Sequence, residues 1–378
     1  MGRRGSNEGS IRQRGDRWEA RVTIGWTGGK YVRLSHYAPT RAEVQQWLVK
    51  TLRDHQQGLP VTDTRLTVGA YLERWLTEVH KPAVRPSTYR RCQQIVDLHL
   101  IPDLGRTRLS KLTPEQVQHL LNEKHEGGLS ACTVWHIHAV LRAALNHAVR
   151  WSLVNRNVAC LATPPRVPRA DIHPFDPTEA RAFLEAIRGH RLEALFVTAM
   201  ATGLRQGELL GLRWRDLDLE QATLAVRHAL QMIGGKPTLI EPKSATSRRT
   251  LVLPAIAVTA LKAHRQQQVE ERLLAGPEWV EGDFVFASSV GRPLAASWVY
   301  RSFKKLLRNH GMRNLRFHDL RHTAATLLLV QGVNPRVAMQ MLGHSNISLT
   351  LNTYSHVVPG LLADAAERMD AVLTATEG

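Results

Sequence analysis

Cysteine is scarce in this sequence. The three present in 378 residues, Cys92, Cys132 and Cys160, are odd in number and far apart. That excludes a disulfide framework and matches no zinc spacing. It fits a reducing, cytoplasmic setting. No run of eighteen apolar residues occurs, so no membrane span is expected. Met1-Gly2-Arg3-Arg4 is followed by polar residues rather than an apolar stretch, so no secretory leader is expected. Acidic residues are also few, thirty-three against fifty basic ones. Asp216 and Asp218 form the one close acidic pair near the motifs described below, and they resemble a turn after a helix. That is poor material for a site in which clustered carboxylates hold Mg²⁺. Lysine is scarce too, ten residues against forty arginines.

What is present is a 43% apolar chain with a formal charge of +17. Its length implies two or three domains, each with its own core. The charge implies a polyanionic partner, most often nucleic acid. Arginine suits bidentate phosphate contact, although a GC-rich genome produces the same bias. A basic surface with no partner is the competing reading.

Three segments follow from the patterning. In residues 1–60, Trp18, Ala20, Val22 and Ile24 alternate with polar residues as a strand does. Thr27-Gly28-Gly29-Lys30 then predicts a turn and Tyr31–Leu34 a second strand, with a short strand over Ser10–Arg14 before both. Thr40 and Glu43 predict a capped helix running through Val44, Trp47, Leu48 and Leu52. Residues 1–58 hold eleven Lys/Arg and five Asp/Glu, which favours a DNA reader over a plain appendage. Residues 66–165 read as all-helical. Ser87 is the expected cap of one helix, and Thr113-Pro114 with Gln116 starts another. Ser130 opens a long one with Val134, Ile137, Leu141 and Leu145 on one face. His136 and His138, two apart on that helix, read as packing or surface residues. Residues 163–175, rich in Pro and Arg, read as a linker. Residues 172–378 begin with the Asp176-Pro177-Thr178-Glu179 cap and read as helical. A small antiparallel sheet is expected over 222–254, with strands Thr223–Ala229, Thr238–Lys243 and Thr250–Leu253. The fold class is therefore α+β and multidomain: a small three-stranded sheet plus helix, an all-helical domain, and a mainly helical domain with a small antiparallel sheet.

Five short stretches in the third segment carry candidate chemistry. Gly203-Leu204-Arg205 sits at a helix start, where backbone approaches a phosphate closely. Glu208, one turn on, is placed to orient Arg205. Lys243 precedes a polar loop that ends in Arg248-Arg249. His318-Asp319-Leu320-Arg321-His322 sets an imidazole beside a guanidinium on one helical face. The His318/His322 spacing also resembles a zinc helix, but Asp stands where that motif needs Glu. Leu342-Gly343-His344 and Thr353-Tyr354 complete the set. Taken singly, each has an ordinary structural reading: a surface ion pair, a solvated lysine, a packed tyrosine.

In this order, Arg, Lys, His-x-x-Arg, Leu-Gly-His and Tyr resemble the tyrosine recombinase (phage-type integrase) family across the whole third segment. The resemblance implies a catalytic domain over 172–378, a helical core-binding DNA domain over 66–165 and an arm-type DNA-binding domain over 1–60. It implies that Arg205 and Arg321 clamp a scissile phosphate. Lys243 would be the hairpin lysine, His318 and His344 the two histidines, Glu208 the supporting acid and Tyr354 the nucleophile. The expected reaction cleaves and rejoins DNA strands through a 3′-phosphotyrosine, integrating or excising a mobile element, with no metal, ATP or other cofactor. The expected partners are double-stranded attachment-site DNA, a homotetramer formed on it, and an accessory excisionase or host DNA-bending protein. The expected place is the cytoplasm, at the bacterial nucleoid. An apolar stripe after the tyrosine (Leu361, Leu362, Ala365, Met369, Val372, Leu373) would dock on a neighbouring protomer. The rival readings are a metal-dependent nuclease, a non-catalytic DNA-binding regulator and a topoisomerase using the same tyrosine chemistry.

Overall fold

The computed structural model describes residues 9–27, 30–56, 65–168, 173–241 and 248–343, together with 369, 373 and 374. The chain divides into two compact units, Met1–Arg169 and Ala170–Gly378.

The first unit holds two separate hydrophobic cores. Strands β1 (Ser10–Arg14), β2 (Arg17–Thr27) and β3 (Lys30–Ala38) form an antiparallel sheet in that order. Helix α1 (Arg41–Gln56) follows, and Thr40 Oγ1 accepts from the Glu43 amide at 3.3 Å. Ala20, Val22 and Ala38 on one sheet face pack with Val44 and Leu48 of α1. The alternation along β2 is thus the pleat turning every second side chain into this core.

The rest of the unit is helical: α2 (Val68–Trp75), α3 (Lys81–Ala83), α4 (Pro86–Ile95), α5 (Ile101–Leu104), α6 (Pro114–Glu126) and α7 (Ala131–Arg150). The Thr113/Gln116 capping box forms, and Ser130 accepts from the Thr133 amide. The expected Ser87 cap does not form. The N-cap is Arg85, and Pro86 takes the first helical position, where its fixed φ fits and its missing N–H costs nothing. His138 is buried, with Nε2 2.7 Å from the Ala159 carbonyl oxygen; it is a packing residue.

The second unit is built around α9 (Glu193–Thr202), whose residues Ala194 to Met200 are all buried. A helix apolar on every side must be central. Around it lie α8 (Pro177–Ala186), which starts with the Asp176/Glu179 capping box, and α10 (Gln206–Leu210). Further along come α11 (Ala255–Ala275), α12 (Ala296–Asn309), α13 (Asp319–Val330) and α14 (Pro335–Leu342). Phe183, Phe196, Phe303 and Phe317 interlock in the core.

The strand region differs from the single sheet expected. Strands β4 (Leu217–Asp218), β5 (Thr223–Val226) and β8 (Arg249–Val252) form one sheet, while β6 (Ala229–Ile233) and β7 (Lys236–Ile240) form a separate hairpin. The expected Thr223–Ala229 strand therefore breaks after Val226. Backbone packing accompanies the break. The Gly211 Cα lies against β6 so closely that an added Cβ would meet Leu230 N at 2.8 Å. Among the described residues, no helix is long and apolar enough to cross a membrane.

Candidate active site

Helix α9 ends at Gly203, in the left-handed region at φ +61°. A Cβ there would sit 2.2 Å from Cδ2 of Leu342 of α14, so a side chain would strain the left-handed backbone and push the Leu342 methyl aside. The Gly203 carbonyl accepts a 2.7 Å hydrogen bond from Nη1 of Arg321. Arg321 is 2% exposed, on the first turn of α13. Two positions past Gly203, Arg205 caps α10. Its amide donates to Glu208 Oε2 (3.2 Å), its Nη1 to Glu208 Oε1 (2.7 Å) and its Nη2 to the Gly343 carbonyl (2.9 Å). Arg205 keeps 40% of its side chain exposed while Glu208 keeps 4%. The acid is the buried clamp and the guanidinium is the group presented outward.

Glu208 has a second partner that the motifs did not suggest. Arg249, the first residue of β8, donates from Nη2 to Glu208 Oε2 (3.2 Å) and from Nε to the Met341 carbonyl (2.7 Å). Its side chain is 7% exposed. Burial draws its pKa down, opposed by the Glu208 charge. The result is a closed circuit from Arg249 through Glu208 and Arg205 to Gly343, and back through the end of α14 to Met341. Two guanidiniums thereby satisfy carbonyls at a helix C-terminus, where cations are favoured.

His318 immediately precedes α13. Its pKa is lowered by desolvation first and by the Arg321 charge next, so it is neutral at pH 7 and able to accept a proton. Its ring meets that of His322 edge to face at 5.2 Å. Burial, followed by the His318 charge, takes His322 down to about 4. Asp319, which sequence reasoning passed over, accepts from the Arg316 amide (2.7 Å) and from its Nη2 (2.8 Å). Burial pushes this carboxyl up, but the Arg316 bonds outweigh it and the pKa lies below the usual range.

The structure thus brings Arg205, Glu208 and Arg321 together around the ends of α9 and α14, with His318 at the start of α13. Lys243, His344 and Tyr354 lie outside the described residues, as do Leu361, Leu362, Ala365 and Val372 of the apolar stripe. Met369 and Leu373 of that stripe are exposed. Described chain flanks the Lys243 position on both sides, and it reaches Gly343 just before His344. Glu241 and Arg248, the described residues on either side of Lys243, form an ion pair. Gly343, the residue before His344, ends α14 at φ +67° with its carbonyl on Arg205. The sequence signal that bears on Arg249 is its register: it lies two positions before inward-facing Leu251 on the same strand, which marks it as inward-facing but names no partner.

An arginine-rich site at converging helix ends, on this helical scaffold with its small sheets, invites comparison with enzymes that act on phosphodiesters. The architecture is similar to that of the Tn1549 transposon integrase, solved in complex with transposon right end DNA. The TM-score is 0.69 at 24% identity, covering 81% of this chain and 100% of that one.

Residues 174–359 match the phage integrase family, and residues 67–125 match the phage integrase N-terminal SAM-like domain. A tyrosine recombinase XerC-like protein of Caldanaerobacter subterraneus subsp. tengcongensis is 33% identical over 369 residues, 92% of this chain and 94% of that protein. An integrase of Streptomyces ambofaciens is 30% identical over 387 residues, 98% and 97% of the two chains. The chain belongs to the phage integrase family of tyrosine recombinases.

Proposed function

We propose that this chain integrates or excises a mobile element by cutting and rejoining duplex DNA at specific sites, with Tyr354 as nucleophile. The observation that carries the reading is the placement of Arg205 and Arg321 at one pair of helix ends, steadied by buried Glu208. In the reaction, the Tyr354 oxygen attacks the scissile phosphorus and gives up its proton, with His318 assisting that transfer or hydrogen-bonding the phosphate. The bond to the 5′-oxygen breaks, and Lys243 supplies the proton that makes it a 5′-hydroxyl. The strand's 3′-phosphate is then held on the tyrosine. Negative charge builds on the non-bridging oxygens as the fifth oxygen approaches, and Arg205, Arg321 and His344 offset it. A free phenol, with a pKa of about 10, is a weak nucleophile at neutral pH; nearby guanidiniums favour its phenolate. A 5′-hydroxyl from another strand reverses the step. Because the phosphotyrosine conserves the phosphodiester energy, rejoining needs no ATP; the charge that Arg205, Arg321 and His344 offset needs no metal ion.

In this reading residues 1–60 bind arm-type DNA, 66–165 the core site, and 172–378 carry catalysis. Four copies assemble on the attachment sites in the cytoplasm, at the nucleoid, each tail stripe docking on a neighbour. An excisionase or host DNA-bending protein sets direction. The test is a nicked suicide duplex bearing the attachment core, incubated in excess chelator without ATP. Wild-type protein becomes covalently attached and Tyr354→Phe does not. An adduct with the Phe variant, or a Mg²⁺ requirement for cutting, contradicts the proposal.

A further inference from the structure

The N-terminal sheet has one face packed on α1 and one open. Strand pairing puts Arg12, Arg14, Arg17, Arg21 and Arg33 on the open face together with a single carboxylate, Glu19. Glu19 is 0% exposed, although the Arg12, Arg14 and Arg21 side chains around it are 47%, 62% and 38% exposed. Arg12 Nε reaches Glu19 Oε2 at 2.5 Å, Arg14 Nε the same oxygen at 3.7 Å, and Arg21 Nη2 reaches Oε1 at 3.1 Å. The Tyr37 hydroxyl donates to Oε1 at 2.8 Å. Hydrogen bonds from Arg12 and then Tyr37 hold this carboxyl down to about 2, so it stays ionised under all working conditions.

A carboxylate in the middle of a polyanion-binding face weakens phosphate affinity by repulsion, so simple electrostatic attraction gives no reason for it. What it does is fix side chains. A free arginine loses rotamer freedom on binding, whereas one already held has lost it beforehand. Base reading needs such fixed forks: a bidentate arginine–guanine contact discriminates by roughly tenfold to a hundredfold, while a phosphate contact tolerates loose geometry. The geometry points to Glu19 as a specificity-determining positioning residue, which holds Arg12, Arg21 and Tyr37 so that this face reads base edges of duplex DNA. The inference rests on the proposed DNA recombinase function.

The test selects duplexes from a randomised pool with the full chain. Loss of one motif in Arg12→Ala assigns that motif to the sheet. Glu19→Gln then flattens the same motif by roughly tenfold, while its affinity for unselected duplex holds or rises because a negative charge is gone. A Glu19→Gln motif identical to wild type overturns the proposal, as does a parallel fall in selected and unselected binding, which marks a structural role. If Arg12→Ala removes no motif, the sheet reads no sequence and the proposal falls; the covalent-adduct assay reports separately on the recombinase reading. Should Glu19→Gln fail to fold, Glu19→Asp decides the matter. It keeps the charge and withdraws the carboxylate by one methylene, so an unchanged motif overturns the proposal and a flattened one supports it.

Discussion

At the scale of single residues, a guanidinium 2% exposed is costly unless its donors are met and its charge has work to do. Arg321 spends one donor on the Gly203 carbonyl. Lysine at this position keeps the charge but loses the planar fork. Arg321→Lys should therefore lower single-turnover cleavage by about 10²–10³-fold, with core-DNA affinity changed only a few-fold. A rate within about threefold of wild type would count against the phosphate-clamp role. Arg205, Glu208, His318 and Arg321 were legible in the sequence because their spacing is local: three residues apart, one helical face. Arg249 was not. Its partners Glu208 and Met341 lie 41 and 92 positions away, and no local period reports a contact at that distance.

At the scale of elements, two helices end on left-handed glycines at the site, α9 on Gly203 and α14 on Gly343. A Cβ on Gly343 would meet Nη1 of Arg249 at 2.7 Å. Gly343→Ala should strain the backbone by about 1 kcal/mol or more and displace Arg249. Cleavage should then fall at least tenfold, with the melting temperature lowered by only a few degrees. Unchanged cleavage would show that the end of α14 does not position the catalytic segment. The helices were legible from capping residues and apolar stripes, because both arise within one turn. The split between β5 and β6 was not. A period-two pattern continues across Arg227-His228, and the close approach of Gly211 that accompanies the break comes from another part of the chain.

At the scale of the whole molecule, several partly or fully buried histidines are held neutral. Desolvation is the leading cause for His80, His190, His264 and His322, and each pKa lies below its ordinary value. In the unfolded chain these imidazoles titrate near about 6.5. Below that pH the unfolded state binds protons that the folded state does not, so their contribution is complete above 6.5 and is lost as pH falls. The melting temperature should drop by roughly 5 °C or more between pH 7 and pH 5. A flat or rising profile would contradict the neutral, desolvated histidines. The central claim, that one phenol oxygen breaks the DNA strand and keeps its end, is tested most directly on the trapped adduct itself. After nuclease and protease digestion, peptide mass spectrometry should find a nucleotide 3′-phosphate on Tyr354 alone. A nucleotide on any other residue, or a 5′-linkage at Tyr354, would contradict the account.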